Sequence, residues 1–91
     1  MLRLNCFIKV DETHREEVLA AARRLTEVSL TQDGCIAYDI FESATRRDVL
    51  MICETWRDQD ALTAHSESSE FIKEVGTMRS LAEMKLETFS F

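Results

Sequence analysis

The chain has no proline and only two glycines, Gly34 and Gly76, among 91 residues. With so few obligatory breaks, long regular elements and short connections are expected, and isolated glycines exclude a glycine-rich phosphate or dinucleotide loop. Two histidines, His14 and His65, are too few for most zinc sites without help from cysteine or carboxylates. Cys6, Cys35 and Cys53 lie far apart, with no C-x-x-C or metal-type spacing. They are expected to be reduced, mostly buried side chains, and no metal is expected. Basic residues are in deficit, 11 Lys and Arg against 17 Asp and Glu, for a net charge of -6. No basic face can dominate, which argues against nucleic acid and anionic membranes as partners. No apolar run approaches the roughly 18 residues of a spanning helix. The N-terminus enters a strand with no signal-type apolar stretch, so a soluble, cytoplasmic protein is expected.

What remains is globular: 45% of residues are hydrophobic and 31% charged. A chain of this length makes one domain, residues 1–91, with a small core, and a second copy that enlarges the core is a natural solution.

Leu2 to Val10 alternates. Leu2, Leu4, Cys6, Ile8 and Val10 face one way, and Arg3, Asn5, Phe7 and Lys9 the other, as in a strand. Asn5 is either solvent-exposed or aimed at a pocket, where its amide offers a donor and an acceptor. Thr13 to Ser29 predicts a helix, with Thr13 and Glu16 as a capping box and Val18, Leu19, Ala22 and Leu25 as the apolar stripe. His14 falls in its polar first turn and reads as a surface residue. Asp33-Gly34 stops the helix, the glycine suiting a left-handed conformation. Cys35 to Glu42 and Val49 to Trp56 are predicted strands joined by a polar turn. A second helix carries His65 and reaches a serine-rich break at Ser66 to Ser69. Glu70 to Val75 is helical, Gly76 to Glu83 a helical turn and a loop, and Met84 to Phe91 the last strand.

The order strand, helix, strand, strand, helix, strand predicts an α+β ferredoxin-like plait with four antiparallel strands and the helices on one face. Phe7, Tyr38 or Phe41, and Phe89 with Phe91 leave the other face apolar. A second subunit stacked sheet to sheet is its simplest cover.

The chain is arranged around Val49 to Phe71. A buried strand ends at Trp56, Asp58 caps a helix, and His65 shares a face with Ala61, Leu62 and Ala64. Trp56 and His65 can line one cavity, or they are a core aromatic and a hydrogen-bonded buried histidine. Glu54 is expected to pair with Arg57 or with an arginine across a dimer.

The run from Glu54 to Phe71, ETWRDQDALTAHSESSEF, resembles the antibiotic biosynthesis monooxygenase family, small dimeric α+β-barrel proteins that include quinol oxygenases. Glu54, Trp56, Ala61, Leu62, His65, Ser68 and Phe71 fill the family pattern, and Glu70 stands where its second histidine would be. Leu4-Asn5 and Gly34-Cys35 also fit. The resemblance implies a homodimer that oxidises a small phenol, quinol or anthrone-like substrate with O2 and no cofactor. It implies catalytic roles for Asn5 as the group stabilising the substrate oxygen, Trp56 as an aromatic wall and His65 as proton acceptor or relay. Arg3, Tyr38 and Phe71 are candidate substrate contacts. Two alternatives stay open: a haem-binding, haem-degrading oxygenase with His65 as axial ligand, and a non-redox isomerase or binding protein of this fold.

Overall fold

Alternation and burial build the sheet of this computed structural model, which describes all of residues 1–91. The strands are β1 (Leu2–Val10), β2 (Cys35–Glu42), β3 (Val49–Trp56) and β4 (Ala82–Ser90); the helices are α1 (Arg15–Ser29), α2 (Gln59–Glu67) and α3 (Ser69–Leu81). The strands lie in the order β2-β3-β1-β4, every pairing antiparallel. This is the ferredoxin-like plait. In register, Leu4 faces Glu54, Cys6 faces Ile52 and Ile8 faces Leu50, so the even residues of β1 and β3 share one side. There they meet Val18, Ala22 and Leu25 of α1 and Val75 and Met78 of α3 in a single core.

Two helix boundaries differ from the periodicity. α1 starts at Arg15, and its N-cap is His14 with no side-chain cap, so the Thr13–Glu16 box does not form. The Asp11 carboxylate instead accepts from the His14 backbone N–H at 3.0 Å and lies 2.9 Å from its ring Nδ1. Arg15 is buried, its guanidinium on Glu42 and on the Arg47 carbonyl, which ties the helix start to the β2–β3 connection. At the other end α3 runs through Gly76 to Leu81, beyond the single helical turn predicted there. Burial of Val75 and Met78 outweighs the roughly 1 kcal/mol that an exposed helical glycine costs.

Gly34 is the one residue at positive φ, +80°, and a Cβ built there would lie 2.4 Å from the Ala61 Cβ. The turn before β2 therefore seats directly on α2. Gly34→Ala is expected to destabilise the fold by about 1–3 kcal/mol, read as a lower urea midpoint. An unchanged midpoint would mean that the turn relaxes freely.

Tyr38 belongs to the core side, 5% exposed, whereas Phe7, Phe41 and Phe89 stand 41%, 48% and 49% exposed. Register places these three with Met51 on the side of the sheet away from the helices. No helix is long and apolar enough to cross a membrane.

Candidate active site

Tyr38 of β2 pairs with Glu54 of β3, so the two side chains point together under the helices, with Trp56 two residues along. α2 brings the fourth group. The Asp58 carboxylate accepts the Ala61 N–H at 2.9 Å and caps the helix, which turns Ala61 and His65 inward. Ser68 then links α2 to α3: its hydroxyl donates to the His65 carbonyl at 2.7 Å and accepts the Phe71 N–H at 3.2 Å. This bend sets the His65 and Phe71 rings edge to face, 5.0 Å apart. Trp56 lies against the other side of the imidazole at 4.4 Å, and Tyr38 is 5.6 Å away.

His65 is 2% exposed, and its Nδ1 lies 2.7 Å from Oε1 of Gln32, in the turn after α1. An amide oxygen only accepts, so Nδ1 carries the hydrogen and Nε2 keeps a lone pair. Burial lowers the His65 pKa from 6.5 to about 4, leaving the ring neutral near physiological pH. Nε2 is buried with no hydrogen-bond partner, and Glu54 Oε1 stands 4.0 Å from it. Leaving such an acceptor unpaired costs about 1–3 kcal/mol. Glu54, 6% exposed, accepts the Trp56 indole N–H at 2.9 Å. Its pKa is pushed up from 4.5 to about 7 by burial, against the opposing pull of the indole and of the Tyr38 hydroxyl.

These groups border a cavity of about 110 Å³ between the sheet and the helices. Tyr38, Glu54, His65, Ser66, Phe71 and Arg79 supply its polar and aromatic wall; aliphatic and methionine side chains supply most of the rest. Such a space suits a small, largely apolar molecule with one hydroxyl to donate.

Among the sequence candidates, His65, Tyr38 and Phe71 line this cavity, and Trp56, Asn5 and Arg3 do not. Trp56 is fully buried behind His65. It packs against the imidazole and donates its indole N–H to Glu54. Asn5 and Arg3 pair across β3 with Cys53 and Thr55, on the face away from the helices. There the Asn5 amide oxygen accepts from the Cys53 thiol at 3.3 Å, so strand alternation removes Asn5 from any oxyanion role in this cavity. Glu54 does not pair with Arg57. Arg57 turns to Asp33 and Asp58 instead, at 3.1 Å from each. Two residues of this cluster, Glu54 and Gln32, were not among the site candidates. Glu54 was signalled by being the one charged residue in an apolar strand, in phase with Ile52 and Trp56; Gln32, in a turn, carried no local signal.

The residues do not fit a haem. A space of about 110 Å³ is far smaller than a porphyrin, and a carboxylate oxygen stands 4.0 Å from the one His65 nitrogen free to bind iron. Nor do three His, Cys, Asp or Glu side chains gather as a metal ion would require.

Comparison with known proteins agrees with this architecture. A family model described as antibiotic biosynthesis monooxygenase matches residues 1–75. The Bacillus subtilis (strain 168) protein "Putative monooxygenase YcnE" is 34% identical over 71 residues, which is 78% of this chain and 75% of that one. A crystal structure of a conserved Bacteroides thetaiotaomicron protein, described as a possible oxidoreductase, is 56% identical with a TM-score of 0.97, covering 99% of this chain and 96% of that one. SnoaB, a cofactor-independent oxygenase from Streptomyces nogalater, shares the fold at a TM-score of 0.88 and 14% identity, over 99% of this chain and 91% of that one.

Proposed function

The chain belongs to the antibiotic biosynthesis monooxygenase family, and on that premise we propose that it oxidises a small phenol or hydroquinone with O2, using no cofactor. One observation carries the reading: the His65 Nε2 lone pair is buried without a partner beside a mostly apolar cavity. A substrate hydroxyl that donates to it recovers the missing hydrogen bond and is held in a dry, aromatic-walled site. A quinone, which only accepts, does not.

The chemistry then belongs to the substrate. The O–H proton leaves for a base in the cavity, and the phenolate passes one electron to O2. The resulting aryloxyl radical and superoxide couple at a ring carbon; the peroxide so formed takes a proton. Loss of the ring C–H proton as the O–O bond breaks leaves a carbonyl and expels hydroxide, which is protonated to water. Phenol and O2 thus give quinone and water, with atoms and electrons balanced. The protein contributes orientation, exclusion of water and the place where the proton waits.

The test is oxygen uptake by the metal-free protein with a panel of hydroquinones under ¹⁸O2. One labelled oxygen is expected in the product, and His65→Leu is expected to lose about 100-fold or more in turnover while keeping its circular dichroism. Full turnover by that variant would remove His65 from the mechanism. No uptake with any member of the panel would remove the oxygenase reading and favour a non-redox role for the cavity.

The functional unit we propose is a homodimer stacked through the face that carries Phe7, Phe41 and Phe89. Its support is the exposure of these large aromatics on an otherwise regular sheet. Phe41→Glu is expected to halve the mass in sedimentation equilibrium. A wild-type protein that sediments as a monomer would contradict the dimer.

A further inference from the structure

The functional reading leaves the base unnamed, and the geometry around His65 singles one out. His65 Nε2 and Glu54 Oε1 are 4.0 Å apart, too far to bond directly. An oxygen about 2.8 Å from each would sit at the apex of a triangle, subtending roughly a right angle. A single substrate oxygen therefore lies within reach of both acceptors, and its one hydrogen can turn from either to the other. The Trp56 indole N–H on Oε1 and the fully buried packing of that ring fix the carboxylate in this position. We propose that Glu54 is the catalytic base: the substrate's one O–H hydrogen, donated first to the neutral His65 Nε2, turns to Glu54 Oε1 and is transferred there.

Relative basicity supports the division of labour. His65 titrates at about 4 and Glu54 at about 7, so a proton entering the pair rests on the carboxylate. The other titratable groups around Glu54 are Tyr38 and Cys35 from β2, Cys6 from β1 and His65 from α2, with Arg79 of α3 on the cavity wall. None of them is a second carboxylate, and the only permanent charge is the Arg79 cation. In the step itself the phenolic O–H bond breaks and an O–H bond forms on Glu54. The proton later returns from Glu54 to the peroxide anion, which leaves the carboxylate ready for the next turnover.

This assignment rests on the phenol reading, and the experiment separates the two. A nitrophenol that resists oxidation, has a coloured phenolate and is still mostly the uncoloured phenol in free solution at pH 8 is titrated anaerobically into wild type, Glu54→Gln and Glu54→Asp. Wild type at pH 8 is expected to bind it as the coloured phenolate. Glu54→Gln, which keeps an acceptor for the Trp56 N–H, should bind it uncoloured, and Glu54→Asp should restore part of the colour. With an oxidisable hydroquinone, Glu54→Gln should lose about 100-fold or more in kcat with little change in KM. Its turnover should also lose the rise through pH 7 that wild type shows. Equal phenolate colour in wild type and Glu54→Gln, or equal pH profiles, would overturn the role of Glu54 and leave the phenol reading standing. Failure of wild type to bind any phenol would overturn both.

Discussion

Trp56→Ala is expected to cost about 3–5 kcal/mol of unfolding free energy, the range for deleting a fully buried large aromatic. Domains of this kind have only about 5–15 kcal/mol to lose. Trp56 is fully buried, closes the back of the His65 ring at 4.4 Å and sits edge to face with Tyr38 at 6.4 Å. Its removal opens a void at the junction of β2, β3 and α2 and takes away the indole N–H that donates to Glu54 at 2.9 Å. Trp56→Phe should recover part of the stability while raising the Glu54 pKa further, since burial would then act with less opposition. Urea unfolding followed by circular dichroism reads the first effect. A loss below about 1 kcal/mol, as a solvent-facing wall residue would give, would contradict the packing described.

The second large effect is on the pH dependence of stability, where Glu54 and His65 pull in opposite directions. The folded-state pKa of Glu54 is raised from 4.5 to about 7. Between those values the folded state binds more protons than the unfolded, so this group's stabilisation is full below the lower value and is lost as pH rises to the upper. The folded-state pKa of His65 is depressed from 6.5 to about 4. Here the unfolded state binds more protons, so stability is full above the upper value and is lost as pH falls to the lower. Each contribution amounts to about 3 kcal/mol at most, and in wild type they largely cancel between pH 4.5 and 6.5. Single substitutions should uncover each alone. Glu54→Gln should weaken as pH falls from 6.5 to 4, and His65→Leu should weaken as pH rises from 4.5 to 7. Other carboxylates are common to the three proteins and drop out of the differences. Urea series across pH 4–8 check this, and parallel curves for the three proteins would contradict it.

The strands were readable from the chain. β1, β2 and β3 run over the residues predicted for them, because β1 alternates cleanly and β3 is apolar throughout but for Glu54, even though a register shift interrupts β2 between Cys35 and Ala37. α3 was harder to read. A glycine and polar neighbours weaken its local pattern, while Val75 and Met78, buried by contacts distant in sequence, extend the helix. The site was legible in part. His65, Tyr38 and Phe71 converge because α2 is capped by Asp58 and turned by Ser68, signals that are local in sequence. The depth of Trp56, the pairing of Glu54 with its indole and the reach of Gln32 across the α1–β2 turn depend on how separate elements dock. The placement of Asn5 was already implicit in its phase: an odd residue of β1 cannot share a face with the even residues Glu54 and Trp56 of β3.

The central claim is that His65 presents an unpartnered, neutral Nε2 to a donating hydroxyl. The direct measurement is ¹⁵N NMR of the two imidazole rings, with His14 as the internal reference, during anaerobic addition of a phenol and then of its methyl ether. The expected result is an Nδ1–H tautomer of His65 that persists as pH falls toward 4. Its Nε2 resonance should shift with the phenol and stay unmoved by the ether, which has no hydrogen to donate. A His65 ring that protonates near its ordinary 6.5, or an Nε2 resonance indifferent to the phenol, would contradict it.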